Sequence, residues 1–350
     1  MIVRRRGVVL KAERAHADLV RLVVAVGTEE TDAVAYTRLV GPVGEGDHVL
    51  LNTTAVELGL GTGGVHFVMA VEGEQSNGSP EGREMKLRYT PMQTSFAAVE
   101  DRYRDAIDAV EHLAGLPVVA AGLHSAIAPV VLGAWAAGGG PKKIALVHTD
   151  GGAMPIAFSE TVEVLRARGL VATTITAGQA FGGDLEAVNL YSALAAAEAV
   201  AEADLVVVAM GPGNLGTGSR WGFALMEVAQ VVNAAVAMGG RAIVVPRISF
   251  ADPRDRHRGV SHHTLTALGR AALGHARIAL PRLEPDRAAV VREQLRTLEG
   301  RHEIVEVDLG PAEEALARSP VPLSSMGRTF ADDPDCFRAA AAAGVLAVGS

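Results

Sequence analysis

Cysteine is almost missing. Cys336 is the single thiol among 350 residues, so the chain can form no internal disulfide and no cysteine-based zinc cage. A reducing, cytoplasmic setting is the expectation, with Cys336 a small buried hydrophobe. A basic surplus is missing as well. Lys and Arg number 32 against 40 Asp and Glu, a formal net charge of −8. That excludes coating of nucleic acid as the main role, because such binding displaces counterions with a field of positive charge. Only Gly7 to Leu10 is apolar between the cluster Arg4, Arg5, Arg6 and Lys11, too short for a secretory core, so no export is expected. The phosphate loop ending in Gly-Lys-Ser/Thr, the Gly-x-Ser-x-Gly nucleophile elbow and the His-Glu-x-x-His metal helix are all absent, which disfavours the reactions they serve.

One long stretch lacks charge altogether. From Leu113 to Gly140 there is no Asp, Glu, Lys or Arg, and a membrane span needs about 20 apolar residues. Pro117, Pro129 and the central Gly122-Leu123-His124-Ser125 break that stretch. It reads as buried strand, turn and buried helix, with Ser125 as the helix cap and no membrane partner.

What is there suffices for a sizeable core, since 49% of the residues are hydrophobic, and the length favours two domains. Residues 1–92 carry short runs such as "LVRLVVAV", "DHVLLNTTAVEL" and "GVHFVMAVEG" between glycine turns, and predict a small β-barrel-like domain. Gly59, Gly61, Gly63 and Gly64 fit an anion loop or, lying between strands, a hairpin or bulge. "GEQSNGSPEGRE" reads as an exposed loop. Val99, Tyr103, Ile107, Val110 and Leu113 have the spacing of one helix face. Beyond them "PVVAAG", "KIALVH", "VATTIT", "DLVVVA" and "AIVVPRI" alternate with helix candidates, and "ARIAL" and "EIVEVDL" add edges. Residues 93–350 are therefore expected to form a Rossmann-like α/β domain, a mostly parallel, doubly wound sheet. Such sheets take ligands at the carboxyl ends of their strands, where strand order reverses.

The loops expected at that edge carry the chemistry. "MGPGNLGTGSRWG" offers Gly211, Gly213, Gly216 and Gly218 with the hydroxyls of Thr217 and Ser219, a nest for phosphate or carboxylate at a helix start. Arg247 and Arg254 could neutralise the anion. Gly211 to Gly216 also matches the dinucleotide fingerprint, but a nicotinamide cofactor is disfavoured because the next strand ends in Pro246-Arg247 and lacks the ribose-binding acid. "RISFADPRDRHRGVSHHT" sets His257 and His262 at the separation used by the histidine half of zinc sites. Asp252 or Asp255 is the expected third ligand of a divalent metal. His257, His262 and His263 equally suit proton transfer. Asp150, at a strand end before Gly151-Gly152, is a further catalytic candidate or an Asx-turn residue. Asp184 and Glu186 suit an acid pair, or Asp184 caps the following helix. His124 and Ser125 suit a base and nucleophile.

The runs "PMQTSF", "GLHSAIAPV", "TDGGAMPIAFS", "GQAFGGDLEAVNLYSAL", "MGPGNLGTG" and "RISFADPRDRHRGVSHHT", with "LLNTTAVELGLGTGGVHFV" near the start, resemble a bacterial family known as domain of unknown function 3866. The resemblance spans nearly the whole chain and implies this domain order, without implying a reaction. The residues themselves favour a hydrolase or transferase acting on a small anionic, phosphorylated or nucleotide-like ligand. A metal-dependent hydrolase built on the histidines, a non-catalytic metabolite sensor and an assembly protein are the competing readings, and a homo-oligomer is compatible with each.

Overall fold

The computed structural model describes residues 1–16, 18–60, 64–73, 81–137 and 143–349. The chain divides into two compact units, Met1–Phe96 and Ala97–Ser350. In the first, β1 (Arg4–His16), β2 (Leu19–Val26), β3 (Glu29–Tyr36), β4 (His48–Asn52) and β5 (His66–Val71) close into a barrel of order β1-β2-β3-β5-β4. Alternation along the strands sends Val9, Leu22, Val24, Ala35, Val49, Leu51 and Val68 inward to one core, as a period of two requires. The unit ends in a ribbon of β6 (Glu84–Lys86) and β7 (Thr94–Phe96). Gly61, Gly63 and most of the loop expected at 73–84 lie outside the described residues. The helix expected over Val99 to Leu113 is two short turns, Val99–Arg102 and Arg104–Asp108, separated by Tyr103 at φ −129° and ψ 35°.

The second unit is built on eight parallel strands. In chain order its elements are β8 (Pro117–Gly122), α1 (Ile127–Ala137), β9 (Ile144–Thr149), α2 (Glu160–Ala167), β10 (Thr173–Ala177), β11 (Leu185–Ala187), α3 (Leu190–Ala199), β12 (Leu205–Met210), α4 (Glu227–Ala237) and β13 (Arg241–Val244). A small ribbon of β14 (Ile248–Ser249) and β15 (Gly259–Val260) precedes α5 (His262–Thr266). Then come β16 (Arg277–Pro281), α6 (Pro285–Leu295), β17 (Glu303–Val307), α7 (Pro311–Ala317), a two-stranded turn of β18 (Ser324–Ser325) and β19 (Arg328–Thr329), and α8 (Pro334–Val348). The sheet order is β11-β10-β9-β12-β8-β13-β16-β17.

The strands are apolar on both sides because both sides are covered. Val118 and Ala120 of β8 pack with α3, α4 and α6, whereas Val119 and Ala121 pack with α1, α2 and α8. A buried Val or Leu contributes roughly 1.5–3 kcal/mol, so each strand anchors two helical layers. α1, which follows β8, lies on one face. α4 and α5, which follow its neighbours β12 and β13, lie on the other. The carboxyl end of β8 is thus the switch point, flanked by loops that part to opposite faces.

Two expectations are corrected. Leu185–Ala187 is a strand, and α3 is capped by Asn189 in a reciprocal box with Ser192. Asp184 instead accepts hydrogen bonds from Thr174 N at 2.8 Å and Arg166 Nη2 at 2.6 Å. Ser125 does not cap α1; its hydroxyl bonds Ser325 Oγ at 3.0 Å, inside a 3-10 turn spanning His124–Ala126. α1 also crosses α8 at backbone contact: a Cβ on Gly133 would stand 2.2 Å from Ala341 O, and one on Gly344 would stand 2.0 Å from Val130 O.

Candidate functional site

The segment from Arg247 to His263 doubles back because Ile248 pairs with Val260 and Ser249 with Gly259. The pairing returns the chain to the end of β13 and sets Ser261 at the start of α5, where its Oγ accepts from His263 N at 3.2 Å. The same Oγ bonds His257 Nδ1 at 2.7 Å. One serine therefore ties the turn that carries His257 to the helix that carries His262 and His263. The three rings meet with centroids 4.3 to 4.9 Å apart, and each offers one nitrogen within 4.8 Å of the others. Phe223, arriving from the loop after β12, stacks on His263 with centroids 4.0 Å apart and planes 10° from parallel, and meets His262 edge-on at 5.9 Å.

His257 and His263 are buried. Burial holds the His257 imidazolium down to about 4, helped by the charges of Arg247 and Arg254. Burial likewise holds His263 down to about 3, with His262 and Arg247 adding to it. His262 is lowered by burial and then by Arg256. The cluster is neutral at pH 7, the protonation state in which imidazole can hold a metal. Among the described residues, His262 Nε2 and His263 Nδ1 are buried without a hydrogen-bond partner, a cost of roughly 1–3 kcal/mol each unless something engages them. With Nδ1 bonded to Ser261, His257 presents Nε2, the arrangement in which a hydroxyl behind the ring steadies a metal ligand.

Asp252 is not part of this group. Arg254 grips it with two bonds of 2.9 and 2.8 Å, Arg247 and Arg328 each approach Oδ2 at 3.4 Å, and Arg328 also bonds Asp333 at 3.1 Å. Asp333 in turn accepts from Ser249 Oγ at 2.6 Å. Paired arginine bonds hold the Asp252 carboxyl far below the ordinary carboxylate range. This network commits Asp252 away from a metal, and Arg247 and Arg254 away from a free anion. The third histidine, His263, takes the place expected for Asp252, while Asp255 begins the 3-10 turn bearing His257.

The glycine-rich loop also differs from expectation. Its residues do not open a helix: the helical turn begins at Ala224 and α4 at Glu227. Thr217 and Ser219 turn their hydroxyls on each other at 3.0 Å, with Thr217 Oγ1 donating to Gly222 O at 3.0 Å and Gly222 N to Ser219 Oγ at 3.0 Å. The two hydroxyls expected to help cradle an anion instead close the loop on itself. Gly213 and Gly218 supply left-handed turns at φ 99° and 79°, and Gly216 bridges to Phe223, so the loop delivers Phe223 to the histidines. Gly211 is a close-approach residue, where a Cβ would stand 2.2 Å from Ala153 O.

Asp150 stands apart, accepting from Gln179 N at 2.8 Å across the loops after β9 and β10. His124 meets Ser159, not Ser125: Nε2 lies 2.6 Å from Ser159 Oγ, which also caps α2 by accepting from Val162 N at 3.1 Å. Burial and then neighbouring His148 push the His124 imidazolium from 6.5 to about 4. The folded chain therefore binds fewer protons at this site than the unfolded chain between those values. Its stabilising effect is complete above pH 6.5 and is lost as pH falls towards 4. Urea midpoints should drop from pH 7 to pH 5, and His124→Gln should make that drop shallower; an identical slope in the variant would contradict the assignment.

Sequence reasoning missed Ser261 and Phe223. Ser261 could have been found as a cap directly before two histidines, whereas Phe223 has no local signal. At the switch point itself, a pocket lined by Gly122, Val245, Arg247, His263 and Cys336 has only about 20 Å³ of free volume, room for about one water. The sequence model of a family described as protein of unknown function (DUF3866) matches residues 32–344. No curated protein matches the chain.

Proposed function

The chain belongs to this DUF3866 family, whose description assigns no reaction, and we propose that it is a metal-dependent hydrolase with His257, His262 and His263 as the ligands. The observation that carries the proposal is the gathering of three imidazole nitrogens within 4.8 Å, two of the rings holding buried nitrogens without a partner. Tetrahedral zinc with Zn–N of about 2.0–2.1 Å sets ligand nitrogens about 3.4 Å apart, so closing the group needs side-chain movements of about 1 Å. Three protein ligands with one position left open is the composition of catalytic zinc sites.

The surrounding residues fit that role. Ser261 fixes the direction of the His257 ring, and Phe223 restrains the plane of His263. The pocket behind His263 is too small for a substrate, which leaves the half-buried side at His262 as the approach. A divalent ion there would supply a Lewis acid and bring the pKa of water in its open position towards 7.

The test is turnover by metal-stripped protein, assayed on phosphate monoesters, carboxylate esters and amides before and after addition of Zn²⁺ or Mn²⁺. The proposal expects hydrolysis of one class that appears with about one equivalent of metal. Turnover indifferent to metal, or stoichiometric metal with no turnover, would overturn it, the latter in favour of a metal-binding sensor.

A further inference from the structure

We propose that Arg256 recognises an oxyanion on the substrate of this site, and that metal binding releases it to do so. The inference rests on the histidine group holding a metal. Of the cations around the histidines, Arg247 and Arg254 are committed to Asp252, and Arg258 donates to Phe250 O at 3.3 Å. Arg256 is exposed and forms no ion pair among the described residues. Among the described residues its side chain makes one hydrogen bond, from Nε to His257 Nε2 over 3.4 Å.

That acceptor is the nitrogen His257 keeps for a metal, since Nδ1 holds Ser261. A nitrogen lone pair cannot serve a metal ion and an N–H donor together. Metal binding therefore removes the one partner of Arg256 and leaves a guanidinium beside a cation, an arrangement that repels until an anion joins it. A phosphoryl or carboxylate group satisfies both at once, with one oxygen towards the metal and others across the planar guanidinium fork. The substrate class is thus a small molecule bearing phosphate, phosphonate or carboxylate next to the bond that is cut.

Two effects of opposite sign follow, which a merely structural arginine would not produce. Removing the charge favours metal binding alone and weakens anion binding to the metal-loaded site. Because coupling is reciprocal, the factor by which anion tightens metal equals the factor by which metal tightens anion, and Arg256 contributes to it.

The experiment is calorimetric titration of wild type, Arg256→Gln and Arg256→Lys, first with Zn²⁺ alone, then with methylphosphonate or acetate on the zinc-loaded proteins. Arg256→Gln is expected to bind zinc a few-fold more tightly than wild type and the preferred anion at least 10-fold more weakly, with Arg256→Lys between them. Methylphosphonate preference would mark a phosphoryl substrate, acetate preference a carboxylate. Zinc bound normally with anion affinity unchanged in Arg256→Gln overturns the role of Arg256 and leaves the metal reading standing. Wild type that takes up no zinc overturns both.

Discussion

Zinc at about 100 times its dissociation constant is expected to raise the melting temperature of the wild-type chain by roughly 5–10 °C and to leave His262→Ala unmoved. A ligand at that concentration stabilises by about 2.7 kcal/mol, and a domain of this size gains about 2–4 °C per kcal/mol. His262 is the proposed ligand to remove because it is the least buried of the three and its Nε2 makes no hydrogen bond among the described residues. Alanine there strands no partner. It forfeits ring contact with His257, His263 and Phe223, which lowers the baseline in buffer and with zinc alike. The ligand-dependent difference isolates the metal. Differential scanning fluorimetry with and without zinc reads it directly, and equal shifts in the two proteins would put zinc elsewhere on the chain.

Gly133→Val is expected to cost about 3 kcal/mol or more in stability. Over-packing a core with added methyl groups costs about 1–3 kcal/mol when side chains can yield. At Gly133 the obstacle is backbone, because a Cβ meets Ala341 O at 2.2 Å and its carbonyl carbon at 2.9 Å. The added group must push α8 off α1, opening the layer that buries Phe337, Ala340 and Leu346. Gly269→Ala is the control, since its Cβ would meet only Leu298 Cδ2 at 3.2 Å. Urea unfolding should show Gly133→Val well below wild type and Gly269→Ala near it; a Gly133→Val midpoint within the range of the control would show that the helices adjust at no cost.

The parts of the fold legible in the sequence were those governed by local burial patterns. The alternating runs of β2 and β4 mark strands with one wet face, and the unbroken apolar runs of β8, β9 and β12 mark strands covered twice. Leu185–Ala187 escaped because three residues after Gly182-Gly183 carry too short a pattern to separate from a loop. The helix face from Val99 to Leu113 had the right spacing, but the backbone at Tyr103 interrupts it. Short spacing brought His257 and His262 together, since His257 lies in the loop whose ends pair as β14 and β15 and His262 opens α5 just beyond β15. Asp252 is taken by Arg254, two residues on, with Arg328 joining from far downstream, a contact made only through the fold. The hydroxyls of Thr217 and Ser219 could face a ligand or their own loop with the same sequence, and the closed loop uses them internally.

The most direct test of the central claim is zinc K-edge X-ray absorption on protein loaded with one equivalent of Zn²⁺. Three imidazole nitrogens at about 2.0–2.1 Å with one oxygen completing a tetrahedron is the result the account predicts, with the imidazole signal reduced in His257→Ala. A first shell of oxygen alone, or a spectrum unchanged by that substitution, would contradict it.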